Sequence, residues 1–205
     1  MRKQQQIWLN EHESQDTLPA LAESEPSSTV IQFVEYLKQQ NIQIKGSAID
    51  IGCGRGRNAV YLAVQGFEVY AVDYIEPALE AAQVLANTKG QTGRINFEAA
   101  EIDQVWPFAD NFFEVAIDCF SSIDIETKTG REIYRDELLR TLKPGGYAMV
   151  AVVSADDEFE KQANPGSEPN SVIWPENGKF QKNYDEKELR EFYKGFKILK
   201  LNKVR

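Results

Sequence analysis

Residues 50–56 read Asp50-Ile51-Gly52-Cys53-Gly54-Arg55-Gly56, three glycines at alternate positions behind an acid. A turn of this kind tolerates positive φ, and without Cβ atoms it lets a ligand approach the backbone. The spacing narrows the ligand. The dinucleotide fingerprint G-x-G-x-x-G places its third glycine one residue later, where this chain has Arg57, and a phosphate-gripping GxxxxGK[ST] loop is absent. Asp73 stands 73 − 56 = 17 residues beyond the last of these glycines. In Rossmann-like sheets a carboxylate at the end of the second strand accepts hydrogen bonds from both ribose hydroxyls. Together the two features describe a nucleotide-shaped crevice.

Such residues need a parallel sheet to carry them, and from residue 47 onward short β-rich runs alternate with helical stretches. Ser47–Ile51 reads as the first strand, Arg57–Gln65 as a helix capped by Gly66, and Glu68–Asp73 as the second strand. A helix with Pro77 in its first turn runs to about Lys89. Ile95–Ala99 and Phe113–Ile117 follow as strands, separated by the breaker-rich loop Trp106–Asn111. Residues 127–142 read as a helix stopped by Pro144-Gly145-Gly146, and Tyr147–Val153 as a fifth strand buried on both faces. Asp185-Glu186-Lys187-Glu188 has the form of a capping box opening a helix through Tyr193, and Phe196–Leu201 reads as a sixth strand.

Two segments lie outside this alternation. Residues 1–26 are polar and weakly patterned and read as an N-terminal arm. After it, Ser27 or Ser28 caps a helix whose Val30, Phe33, Val34 and Leu37 recur at helical spacing. Residues 27–205 then form one domain, in which 155–183 reads as a long loop or lid over the active site, with no clear periodicity. Its Trp174 and Phe180 either line a pocket or anchor the loop. Trp8 and His12 either fold over the site or stay on a mobile arm.

The D-x-G-x-G-x-G form, with an acid two residues before the first glycine, resembles motif I of the class I S-adenosylmethionine-dependent methyltransferases. The resemblance implies a Rossmann-like three-layer α/β sandwich with a mostly parallel sheet, here with an added N-terminal helix, and S-adenosyl-L-methionine as cofactor. That cofactor has cationic sulfonium and ammonium groups and no phosphate, so an acid at the turn suits it. The implied cofactor contacts around the turn are Asp50, Gly52, Cys53, Gly54, Gly56, Arg57 and Asn58. Asp73 is implied on the ribose, with Tyr74 and Ile75 flanking the adenosine. Glu101 and Ile102 are implied on the adenine, Asp103 competing for the acidic role, while Asp118, Cys119 and Phe120 face the methyl group and the methionine portion. The run Gly54-Arg55-Gly56-Arg57-Asn58 with Leu62-Ala63 is similar to the tellurite-resistance methyltransferases and related small-molecule enzymes. Their sheet ordinarily ends in an antiparallel seventh strand, and none is read in this sequence. No catalytic residue is assigned; Tyr184, Asp118 and His12 are the conceivable proton acceptors or orienters.

Composition removes several other chemistries. Two cysteines and one histidine exclude a disulfide framework, a zinc finger and a multi-histidine metal site, and no metal is expected. Cys53 reads as a small residue that fits the turn, and Cys119 as a packing residue rather than a nucleophile. The [DNS]-P-P-[YFW] signature of base and glutamine amino methylation is replaced by Asp118-Cys119-Phe120-Ser121. The formal charge is −9, of which residues 179–205 carry +5 (nine basic, four acidic), leaving −9 − 5 = −14 on the remainder. Acid around the glycine turn argues against nucleic acid. No apolar run approaches the roughly 20 residues of a membrane span, and a cytoplasmic location is expected. The leading reading is methyl transfer to a small molecule by in-line displacement, with the oligomeric state open and a dimer among the options. A cofactor-binding regulatory module without turnover, or an enzyme acting on RNA or protein, are the alternatives.

Overall fold

The structure is a computed structural model that describes residues 2–14 and 23–203. Five strands, β1 (Ser47–Ile51), β2 (Glu68–Asp73), β3 (Ile95–Ala99), β4 (Phe113–Cys119) and β5 (Leu142–Ala151), form one parallel sheet. Their spatial order is β3-β2-β1-β4-β5, so the order reverses between β1 and β4. A ligand crevice is expected at that switch, beyond the carboxyl ends of the strands.

Side chains alternate faces along each strand, and the two faces have separate cores. Ala48, Val69, Ala71, Val115 and Ile117 face helices α2 (Ser28–Gln39), α3 (Arg57–Gln65) and α4 (Glu76–Thr88). Ile49, Ile51, Tyr70, Val72 and Ala116 face α5 (Lys128–Thr141) and α6 (Glu186–Phe192). Phe113 breaks the alternation, packing on the opposite face from Val115, where the β4–β5 register is irregular. The Trp106–Asn111 loop is clamped from α5: Glu137 accepts the Trp106 N–H at 2.7 Å, and Arg140 donates to the carbonyl of Phe108 at 2.8 Å.

The site-bearing turn is enforced by backbone shape. Gly56 precedes α3 at φ +82°, and a Cβ there would lie 2.7 Å from the Cβ of Ala82 on α4. Glycine thus satisfies both the left-handed conformation and the close approach of two helices.

Four expectations are corrected. Residues 155–183 are not an unpatterned loop: β6 (Asn164–Pro165), β7 (Ser171–Ile173) and β8 (Phe180–Lys182) form a small antiparallel sheet. Strands of two or three residues, set among Pro and Gly, are too short to show a period. Residues 196–201 form no strand, and Leu199 remains 51% exposed. Lys197-Ile198-Leu199-Lys200-Leu201 lacks strict alternation. Pairing beyond β5 goes instead to Tyr184, which donates to the Val153 carbonyl and accepts from the Ala155 N–H, both at 3.0 Å. Among the described residues β5 is therefore an edge strand, half-buried along 147–150 rather than covered on both faces. The polar N-terminal segment also contains more order than its pattern suggests, since Lys3–Glu13 is a helix, α1. Residues 15–22 of that segment lie outside the described residues.

Gly56→Ala is expected to cost about 1–3 kcal/mol of stability through overpacking and backbone strain. Gly93→Ala, at a position with open space around it, serves as the control. Thermal denaturation of the two variants checks this, and an unchanged Tm for Gly56→Ala would refute the packing argument.

Candidate active site

The carboxyl ends of β1, β2 and β4 meet around the glycine turn. Gly52 and Gly54 have φ of +66° and +52°. A Cβ on Gly52 would collide with the Ser121 hydroxyl, which donates to the Gly52 carbonyl at 3.2 Å. Nothing lies within 4 Å of the Cβ position of Gly54, so the middle of the turn faces open space. Phe120, 44% exposed, holds φ +69° without being glycine, which places backbone strain beside the same crevice.

Asp73 organises the turn. Its two carboxylate oxygens accept the N–H groups of Gly54 and Ile75, each at 2.9 Å. Burial pushes its pKa up, and those N–H groups oppose the shift. A carboxylate keeps further lone pairs for a ligand hydroxyl. Asp118 is committed inward: the Ser121 N–H and the Tyr134 hydroxyl both reach it at 2.7 Å. Asp50 is 1% exposed, and one of its oxygens is buried without a partner. Burial pushes its carboxyl up to about 7, with Asp118 and Asp73 adding to the shift and Arg57 opposing it.

Other predicted residues divide between the site and its supports. Arg57 pairs with Glu23, and Asn58 accepts the Ser27 N–H at 2.9 Å, so both tie the first turn of α3 to the entry of α2. Cys53 is buried with its thiol pushed well up by burial, and burial raises Cys119 too, so neither environment favours a thiolate. Ile102 packs into the core on the α5 face. Asp103 is buried and paired with Arg2. Tyr74, Ile75 and Glu101 are brought together on the wall of a cavity of about 590 Å³.

The remaining wall comes from places the sequence reading did not single out. Gln5 and Leu9 of α1 face the ends of β2 and β3 across this cavity, with Pro77 and Ala99 beside them. Their i, i+4 spacing is the only local signal, and it is weak without an apolar stripe. Asp124, just past β4, is a second omission. Burial pushes its carboxyl up to about 8, Lys179 opposing this and Asp118 and Glu11 reinforcing it. Of the conceivable proton acceptors, Tyr184 is buried at the bridge beyond β5. The His12 ring is buried, its Nδ1 has no partner, and its pKa is pushed down to about 4 by burial and the nearby Arg55. Among the described residues, no group of three or more His, Cys, Asp or Glu is placed to hold a metal, and no helix is long and apolar enough to cross a membrane.

Comparison with known proteins accords with this geometry. A family profile described as a methyltransferase domain matches residues 48–146, which run from β1 through the turn, Asp73 and β4 into β5. Residues 48–146 are thus those of a methyltransferase domain. The 2-heptyl-1-hydroxyquinolin-4(1H)-one methyltransferase of Mycobacteroides abscessus is 28% identical over 77% of this chain and 64% of its own length. A S-adenosylmethionine-dependent methyltransferase from Methanosarcina mazei superposes with a TM-score of 0.68 at 22% identity, covering 78% of this chain and 82% of that one. The 1,6-didemethyltoxoflavin-N1-methyltransferase of Burkholderia thailandensis, solved with S-adenosylhomocysteine, gives 0.66 at 19% identity over 94% and 74%. These two structures share the methyltransferase fold. The chain spans less than two thirds of the length of the first curated relatives it matches.

Within the methyltransferase domain, Asp50 makes stability depend on pH. Its folded pKa, about 7, lies above its ordinary 3.8, so its contribution is complete below pH 3.8 and is lost as pH rises towards 7. Asp50→Asn removes this loss. The Tm of the variant is expected to gain on the wild type by several degrees between pH 5 and pH 8, each kcal/mol being worth roughly 2–4 °C at this size. Calorimetric scans across that range check it, and parallel profiles would contradict the assignment.

Proposed function

We propose that this protein transfers the methyl group of S-adenosylmethionine to an oxygen or nitrogen nucleophile of a small molecule. The observation that carries the reading is the cavity walled by Tyr74, Ile75 and Glu101, whose Ile75 shares the Asp73 carboxylate with Gly54 of the glycine turn. The donor set fits the cofactor. Partly free buried acid at Asp50 suits a cationic ligand, and Asp73 with spare lone pairs suits ribose hydroxyls. In this reading Glu101 accepts the adenine amino group, and the backbone of Gly52–Gly56 borders the methionine portion.

Bound S-adenosylmethionine supplies an activated methyl group on a good leaving group, transferred in line to the acceptor. The protein's share is then alignment and exclusion of water, which accelerate such a displacement without a dedicated base. Named relatives support a small acceptor: the names of two of them specify 2-heptyl-1-hydroxyquinolin-4(1H)-one and 1,6-didemethyltoxoflavin. The Gly54–Ala63 run adds its similarity to the small-molecule tellurite-resistance type. A small, uncharged heteroaromatic acceptor with a hydroxyl or ring nitrogen is the class we favour.

Asp73→Ala is expected to weaken S-adenosylhomocysteine binding about 10–100-fold, the scale of one or two charge-assisted hydrogen bonds. Asp73→Asn should keep more of the turn's own hydrogen bonding. Calorimetry, with circular dichroism to verify the fold, makes the measurement. Unchanged affinity in a folded Asp73→Ala variant would overturn the ribose assignment. Failure to form S-adenosylhomocysteine with any member of a panel of hydroxyquinolones, phenols and N-heterocycles, despite tight cofactor binding, would overturn the transfer reaction.

A further inference from the structure

Helix α1 is attached in an unusual way. Its fully buried residues are Gln4 and His12, both polar, while Ile7, Trp8 and Leu9 are only half-buried. It is held instead by polar pins at both ends. At its start, Arg2 pairs with Glu101 at 3.1 Å and also with Asp103, and Gln5 donates to the other oxygen of Glu101. On the next face, the Gln4 amide mimics a strand partner: it donates to the Phe180 carbonyl at 2.9 Å and accepts the Phe180 N–H at 3.0 Å. At its end, Glu11 pairs with Lys179 at 2.8 Å, and Lys179 sits 3.5 Å from the centre of the Trp8 ring. Arg55, inside the glycine turn, donates to the His12 carbonyl at 3.0 Å.

These contacts run from the adenosine end of the cavity, past the glycine turn, to the β6–β8 sheet. Resting on the cofactor reading above, we infer that α1 is the cofactor-retaining strap of this enzyme, with Gln5 and Leu9 as binding residues at the adenosine end. Gln5 acts through Glu101 as well as on the cavity wall. Both oxygens of Glu101 already answer to α1, so a ligand amino group that bonds Glu101 meets an acceptor whose orientation Arg2 and Gln5 have set. Leu9 closes the apolar side of the same cavity. A ligand that touches Glu101 and Leu9 is released faster when this wall moves. A helix without a fully buried apolar residue exposes little apolar surface when it lifts, so opening is a local event that leaves the sheet intact. Docking of α1 and ligand binding then reinforce each other, and the coupling is reciprocal.

The test is the dissociation rate of S-adenosylhomocysteine from the full chain, measured by stopped-flow displacement with unlabelled ligand. Arg2→Ala combined with Gln5→Ala is expected to speed release about tenfold or more. Glu11→Ala, at the far end and off the cavity wall, is expected to speed it too, by a smaller factor. Gln6→Ala, whose side chain bonds Asn10 within α1, leaves the rate unchanged. Hydrogen exchange of residues 3–13 is expected to slow when the ligand is bound. A double variant that releases at the wild-type rate overturns the proposal. If the double variant speeds release while Glu11→Ala and hydrogen exchange do not respond, Gln5 is a local contact and the strap is refuted. A wild-type chain that does not bind S-adenosylhomocysteine rejects the cofactor reading itself, and the strap with it.

Discussion

Gly52 has no side chain, and the ligand end of the sheet is assembled around that fact. Any Cβ there would occupy the place of the Ser121 hydroxyl, which donates back to the Gly52 carbonyl. The loops after β1 and β4 are therefore locked against each other at the point where strand order reverses. The Ser121 N–H in turn anchors Asp118, which also takes the Tyr134 hydroxyl from α5. One turn downstream, Asp73 takes the Gly54 N–H and fixes β2 to the same loop. A single steric requirement thus brings three strand ends, and the acids they carry, into one crevice.

Those acids are costly to hold together. Asp50, Asp73, Asp118 and Asp124 are all shifted upward, first by burial, and like charges add to the shift at Asp50 and Asp124. Backbone and hydroxyl hydrogen bonds offset much of this at Asp73 and Asp118, whereas one oxygen of Asp50 has no partner. A structure that needed only a stable turn gains nothing from that orphaned oxygen. A crevice meant for a cation gains a field that the ligand itself completes. His12 reports the same surroundings from the other side, since burial and the guanidinium of Arg55 keep its ring neutral.

Much of this was legible along the chain. The glycine turn, the helix after it, the first four strands and Asp73 are each dictated by contiguous residues, because a left-handed turn, a helix cap or an alternating strand is a local requirement. Tyr74, Ile75 and Glu101 follow from their places at strand ends. Residues 155–183 and 196–201 were misread for a physical reason: strands of two or three residues carry no period, and an apolar run becomes a strand only where a free edge accepts it. Asn58, Ile102 and Asp103 each have a partner away from the cavity wall that their neighbours in sequence do not indicate. One anchors Ser27, one fills the core and one pairs with Arg2.

The sequence by itself determined the class of ligand and the strand-end carboxylates that suit it, since three glycines behind an acid and an aspartate 17 residues on constrain the backbone wherever they occur. Only the tertiary structure decided what closes the cavity. The bonds from Gln5 to Glu101 and from Gln4 to Phe180 join positions 96 and 176 residues apart. Polar contacts of that range leave no periodic mark on the chain, because each needs just one donor and one acceptor, and folding alone brings them within reach.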